Sequence, residues 1–275
     1  KDHLVAVHRQ HTGFTESCAG RCRDEVGRTS YEWLAELVAE GRGAQRRVLD
    51  LACGSGPLLA LCAERDAEAE LIGVDMSPHE LSLAKARLGP KPVALHRTMA
   101  QDLSMIGSSS VDTVLCHWAL TLMDPLEPVL GEVKRVLRGG GVFAAVVDGP
   151  SALAPGYEAV DDAIFSAVSK VAPFYGTVDL GDPRVREASS LESLAQTAFP
   201  GAMVSLEPSV MRLTGSPADV AREAMGFFYA SFVLPADARA MLFSELETQF
   251  AADANDATAT FSLPVARLVV RLPSA

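Results

Sequence analysis

The sequence predicts an α/β fold with a doubly wound sheet, and three observations carry that reading. Short β-branched runs alternate with stretches of helical periodicity through the middle of the chain. One of those runs ends in a bend bearing two glycines that opens directly into a helix. The composition, 48% hydrophobic and 21% charged over 275 residues, is that of an ordinary globular protein with ample material for a core.

The elements follow in order. Thr29 and Glu32 form a capping box ahead of Trp33, Leu34, Leu37 and Val38, an apolar stripe that Gly41 can end. Arg47 to Leu51 reads as a strand, Ala52 to Gly56 as a loop, and Pro57 onward as a helix with Leu58, Leu61 and Cys62 on one side. A second strand, Leu71 to Asp75, completes a strand–helix–strand unit. Ser77-Pro78-His79-Glu80 then supplies an N-cap, a proline at the first helical position and an acid at the third. Further strands are expected at Val93 to His96, Val111 to Cys116 and Val142 to Val147, with a helix carrying Leu126, Val129, Val133 and Val136 before the last. Strands alternating with helices imply a parallel sheet covered on both faces. From Pro150 to Pro200 the strands stop. Val160, Ile164, Val168 and Val171 mark one helix there and Ser189 with Glu192 caps another, which reads as an inserted helical cap. Ala202 to Leu213 is a strand, two helices occupy Pro217 to Ala230 and Ala236 to Phe250, and Val265 to Leu272 is the final strand.

Composition also narrows function. Twenty-four basic against 35 acidic residues give a net charge of −11, which repels phosphate backbones and anionic membrane surfaces, so neither nucleic acid nor membrane is an expected partner. No run approaches the roughly 18 apolar residues of a membrane span, and Lys1-Asp2-His3 lacks the apolar core of a signal peptide. Cys18, Cys22, Cys53, Cys62 and Cys116 form no disulfide framework and no zinc-ligand spacing, so no metal is expected and a reducing, cytoplasmic setting fits.

The chemistry concentrates in Val48-Leu49-Asp50-Leu51-Ala52-Cys53-Gly54-Ser55-Gly56. Glycines in such a bend admit a ligand close to the backbone, and the N–H groups of the helix start can meet an acceptor. Asp75 follows Gly56 by nineteen positions and ends the next strand. Its carboxylate can accept hydrogen bonds from both hydroxyls of a ribose. A dinucleotide loop wants a third glycine where Leu59 stands, and a P-loop wants a Gly-Lys-Ser/Thr ending that is missing after Gly54, so NAD, FAD and ATP lose ground.

Val48 to Gly56 with Asp75, then Val111 to Leu115 and Glu132 to Gly141, resemble class I S-adenosylmethionine-dependent methyltransferases, in particular the small-molecule group of ubiquinone and menaquinone biosynthesis. The resemblance covers roughly residues 28–148. It implies a mostly parallel, seven-stranded sheet with one antiparallel strand. The chain reads as one domain, with a helical lid over 1–45, a cofactor-binding core over 46–148, a helical cap over 149–201 and the remainder of the sheet over 202–275. Ala52, Gly54 and Gly56 are expected to face the methionine part of the cofactor, Asp75 to hold the ribose and Met76 to pack on the adenine ring, with Asp50 also among the cofactor-binding residues. Met99-Ala100 aligns where the family carries its adenine-binding residues, and either the Ala100 backbone or Asp102 meets the adenine amino group. Arg28 and Tyr31 are candidates for the cofactor carboxylate.

A sulfonium methyl is already activated, so placement of the acceptor and exclusion of water are the main requirements, with a base needed only if the acceptor must lose a proton. His117, after the fourth strand at the sheet's carboxyl edge, is the candidate contact for cofactor or acceptor, and Asp148, after the fifth, the candidate to orient an acceptor. Tyr157, Phe165, Phe174 and Tyr175, with Phe227, Phe228, Tyr229 and Phe232, are candidate walls of an apolar cavity, and His8 and His11 lie in the expected lid. The expected reaction is methyl transfer to an O, N or C atom of a small, apolar or aromatic metabolite. The alternatives are non-methyl chemistry such as cyclisation on the same fold, or a non-catalytic binding module.

Overall fold

The computed structural model describes residues 14–40, 46–172, 181–228, 232 and 234–274. His8, His11, Gly41, Phe174, Tyr175 and Tyr229 lie outside these residues.

Seven strands form one sheet in the order β3-β2-β1-β4-β5-β7-β6. They are β1 (Arg47–Leu51), β2 (Glu70–Asp75), β3 (Val93–Arg97), β4 (Val111–His117), β5 (Leu137–Asp148), β6 (Met203–Gly215) and β7 (Ala259–Arg271). The first five pair in parallel, and β7 runs antiparallel between β5 and β6. β1 is buried nearly throughout because it has a parallel neighbour on each side, Leu49 pairing with Ile72 of β2 and with Val114 of β4. Strand order reverses between β1 and β4, the place where open α/β sheets form a ligand crevice at the carboxyl ends of their strands.

Two apolar layers cover the sheet. On one face Val48 packs with Leu58, Leu59 and Cys62 of α3 (Pro57–Arg65) and with Trp33 and Leu34 of α2 (Ser30–Ala35). On the other, Leu49 and Leu51 pack with Val129, Val133 and Val136 of α5 (Glu127–Val136). Helix α4 (Pro78–Leu88) follows β2. Two of the three predicted caps are present. Thr29 Oγ1 accepts from the Glu32 N–H while the Glu32 carboxylate accepts from the Thr29 N–H, and Ser77 Oγ accepts from the Glu80 N–H at 3.3 Å.

The segment expected to form one cap divides in two. Helix α6 (Tyr157–Val171) buries Val160, Ile164 and Val168 in the same layer as α2 and α3, whereas α7 (Ala188–Ala198) buries Leu191, Leu194 and Ala195 against the opposite face beside α5. Helix α7 is thus a sheet-covering helix, which its apolar spacing allows as readily as a cap. Its N-cap is Glu187, whose carboxylate accepts from the N–H groups of Ser189 and Ser190.

β6 falls within two residues of its expected bounds, whereas β7 is longer than its sequence pattern predicts, beginning at Ala259 rather than Val265. They pair from Met203 with Arg271 to Gly215 with Ala259. Pro264 argues against so long a central strand, but β5 stops at Asp148, opposite Val265, so Pro264 lies just beyond the β5 ladder and owes it no N–H. Helices α8 (Pro217–Phe227) and α9 (Ala236–Ala252) connect the two strands and pack against the face that holds α6. The short helix α1 (Phe14–Ala19) joins them there through Cys18 and Ala19. No described helix is long and apolar enough to cross a membrane.

Candidate active site

The crevice is built from the segments at the carboxyl ends of β1, β2, β3 and β4. After Leu51 the chain bends through Ala52, Gly54 and Gly56, all at positive φ (60°, 52° and 78°), and Gly56 is the N-cap of α3. A Cβ on Gly56 would lie 3.0 Å from the Cβ of Ala84, so glycine is needed there for α3 to approach α4. A Cβ on Gly54 would meet only the Glu80 carboxylate at 3.9 Å, so that residue is held open by its backbone rather than by packing. Asp75 at the end of β2 ties the bend down. Its Oδ2 accepts from the Gly54 N–H at 2.9 Å and its Oδ1 from the Ser77 N–H at 2.8 Å.

Asp50 lies 1% exposed near the end of β1, and its Oδ2 has no hydrogen-bond partner among the described residues. Burial, followed by the neighbouring Asp75 charge, pushes its carboxyl up to about 8. Met76 and Met99 follow β2 and β3 with 46% and 40% exposure, large apolar side chains left in the open on the crevice edge. Ala100 lies next to Met99 and is partly buried. The Ser104 side chain, and after it the Ser104 N–H that donates to Asp102 Oδ1, lowers the Asp102 carboxyl.

His117 ends β4 with its ring stacked on Tyr31, centroids 3.6 Å apart, and its Nε2 is 2.8 Å from Ser30 Oγ. Desolvation pushes the imidazole down to about 3, so it is neutral near pH 7 and a weak base. Its ring is packed at the carboxyl end of β4 between Tyr31 and Trp118. Trp118 has φ 51°, a conformation a bulky side chain rarely holds, and is 8% exposed. Its Nε1–H donates to Asp148 Oδ1 at 2.9 Å, and its ring meets Phe227 edge-on at 5.2 Å. Asp148, at the end of β5, thereby fixes an aromatic wall. Tyr157 and Phe228 continue that wall at 5.6 Å, whereas Phe165 on the same helix points outward at 55% exposure.

Arg28 is held in ion pairs. Its Nε donates to Asp24 Oδ2 and its Nη1 to both oxygens of Glu36, so the guanidinium is committed to two carboxylates beside α2. A contact that the sequence pattern does not predict takes the loop's flank. Glu16 of α1 accepts from Ser55 Oγ at 2.7 Å and from Arg87 Nη2 at 2.8 Å, closing α1 over the glycine bend. Ser30 on His117 is a second contact of this kind. Both are reached only by folding, 39 and 87 positions from their partners, and no local pattern marks them.

Residues 49–145 match the family model described as a methyltransferase domain. A demethylmenaquinone methyltransferase of Symbiobacterium thermophilum is 32% identical over 118 residues, 41% of this chain and 47% of that one. A trans-aconitate 2-methyltransferase of Methylobacterium radiotolerans is 32% identical over 166 residues, 60% of this chain and 58% of that one. The chain spans about half the length of the curated relatives it matches. In fold, a putative methyltransferase of Bacillus halodurans superposes with a TM-score of 0.59 at 18% identity, covering 89% of this chain and 99% of that one.

The residues of this crevice fit the S-adenosylmethionine that the sequence resemblance implies. Gly54 presents a bare backbone, Met76 and Met99 offer apolar surface to a flat ring, and the unsatisfied Asp50 oxygen asks for a donor or a cation. No described cluster of three or more His, Cys, Asp or Glu side chains could hold a metal ion.

Proposed function

We propose that this protein transfers the methyl group of S-adenosylmethionine to a small acceptor with apolar or aromatic character. The observation that carries the reading is the β1 bend at positive φ tied by its Gly54 N–H to Asp75, at the switch point of the sheet and inside the matched methyltransferase region. When bound, the cofactor supplies a sulfonium methyl already activated for displacement. The chain's own residues then have to bind, orient and dry the site.

Each has a part in this reading. Asp75, at the end of β2 and bonded to the Gly54 and Ser77 N–H groups, takes the ribose hydroxyls. Asp50 and the bend hold the methionine end, and Met76 and Met99 flank the adenine, with Ala100 or Asp102 at its amino group. Trp118, fixed by Asp148, and the rings of Phe227, Phe228 and Tyr157 border the acceptor side and exclude water. His117 contributes shape. One relative is named for trans-aconitate and another for demethylmenaquinone, so the aromatic wall is what favours an apolar acceptor. Isothermal calorimetry comparing S-adenosylhomocysteine with NADH tests the cofactor. Methyl-labelled cofactor offered with aromatic, quinol and carboxylic acceptors tests the transfer. Label in an aromatic or quinol product supports the reading, and an altered but unlabelled product would replace methyl transfer with other chemistry.

A further inference from the structure

Away from the crevice, two thiols meet at α1. Cys18 lies in that helix and Cys22 just beyond it, both buried, with their sulfurs 3.9 Å apart. The Cys22 N–H donates to the Cys18 carbonyl at 3.1 Å, so the two share one helical turn. Such a turn spaces Cα atoms by about 6 Å, within the span of a disulfide. The two ends of the turn are held differently. Cys22 runs into Arg23, whose N–H donates to the Arg212 carbonyl of β6 at 2.9 Å and whose carbonyl accepts from the Arg212 N–H at 2.7 Å. Cys18 is carried by α1, only six residues long, whose Glu16 accepts from Ser55 Oγ in the glycine bend at 2.7 Å.

We propose that Cys18 and Cys22 form a redox latch: hydrogen peroxide closes the dithiol to a disulfide, and closure draws α1 off the glycine bend and loosens the hold on the cofactor. The loosening rests on the cofactor reading given above, and the disulfide does not. One thiol gives up its proton and its sulfur attacks a peroxide oxygen. The O–O bond breaks, a sulfenic acid forms, and the departing hydroxide takes that proton as water. The second sulfur then attacks the sulfenic sulfur, the S–S bond forms, and hydroxide leaves with the second thiol proton as another water. Two thiols lose two electrons, and one peroxide gains them.

Geometry makes α1 the part that moves. Reaching the ~2.05 Å of a disulfide from 3.9 Å closes the sulfurs by about 1.9 Å. With Cys22 next to the β6 bridge, that displacement falls on α1, and a shift of this size two residues from Glu16 exceeds what its bond to Ser55 tolerates. While α1 is docked the pair is protected. The Cys18 thiol is pushed far up, first by its hydrogen bond with Cys22 and then by burial, which suppresses the reactive thiolate. Oxidation therefore runs through the lifted position of α1, and a ligand held under α1 slows it. A ring of five residues gains little chain entropy from the bond, so a thiol reductant reopens it.

The test treats the full chain with hydrogen peroxide and maps the product by peptide mass spectrometry. The peptide carrying Cys18 and Cys22 should lose two hydrogens, regain them with dithiothreitol, and react more slowly when S-adenosylhomocysteine is present. Hydrogen exchange of the α1 amides should quicken in the oxidised protein. Stopped-flow dissociation of S-adenosylhomocysteine should quicken about fivefold on oxidation, as for the loss of a partly exposed ion pair. Cys22→Ser and, independently, Cys18→Ser should abolish these changes, and in Glu16→Ala oxidation should add nothing to the dissociation rate. A pair that stays reduced, or a disulfide that leaves α1 exchange and ligand dissociation unchanged, would overturn the inference while leaving the cofactor reading intact. If S-adenosylhomocysteine bound neither form, the cofactor reading would fall, and the mapped disulfide with the exchange of α1 would still decide the latch.

Discussion

Ala52 sits at φ 60° without the freedom of glycine, and Gly56 sits at 78° with a neighbouring helix against it. The two positions predict opposite outcomes. Ala52→Gly removes a left-handed strain of about 1 kcal/mol but adds unfolded-state entropy, so the melting temperature should stay level or rise by a few degrees. Gly56→Ala drives a methyl onto Ala84 in a strained backbone, and melting should fall by several degrees, on the order of 2 kcal/mol. His117 gives a pH prediction. Burial lowers its imidazole to about 3, so the folded form stays neutral while the unfolded chain takes up a proton below its ordinary value of about 6.5. Stability is therefore lost as pH falls through that range. Melting curves at pH 7.5 and 5.5 should show a smaller acid loss for His117→Gln than for the wild type. At this scale the bend and Asp75 are legible in the sequence because chemistry fixes their residue types and spacing. The positive φ of Trp118 is not, because no neighbouring residue announces it and the indole bond to Asp148 that holds it spans 30 positions.

Local grammar locates most elements. The Thr29–Glu32 box and the Ser77–Glu80 start are made of contacts three residues apart, and both occur as expected. It fails where two local solutions compete. Ser189 has the chemistry of a cap, but Glu187 supplies a charged acceptor two residues earlier and takes both N–H groups. Periodicity identifies α7 as amphipathic without saying which partner its stripe meets, and that partner is the sheet rather than a cap. Helix α1 has its own consequence. It is pinned to the glycine bend through Glu16, and to α8 through Ser17, whose hydroxyl reaches Glu223 beside the neighbouring Arg21. Glu16→Ala removes the first attachment, and because the ion pair is partly exposed its loss is about 1 kcal/mol. Stopped-flow dissociation of S-adenosylhomocysteine should quicken about fivefold, whereas Ser17→Ala, away from the bend, should change it little.

In the molecule as a whole, strand order does the positioning. Placing β4 beside β1 reverses the winding, and this brings the bend, Asp75, His117 and Asp148 to one edge although they lie far apart along the chain. Alternating strands and helices make that core readable from the sequence. The β6–β7 extension is not, since Pro264 and two intervening helices conceal a ladder that closes only in three dimensions. Every functional role assigned to these residues requires the crevice at that edge to be the cofactor site. A crystal structure with S-adenosylhomocysteine tests it most directly. The ribose should lie against Asp75, the methionine end along Ala52 to Gly56 near Asp50, and the sulfur should face Trp118. A ligand bound elsewhere, or lying across the crevice without touching Asp75, would contradict it.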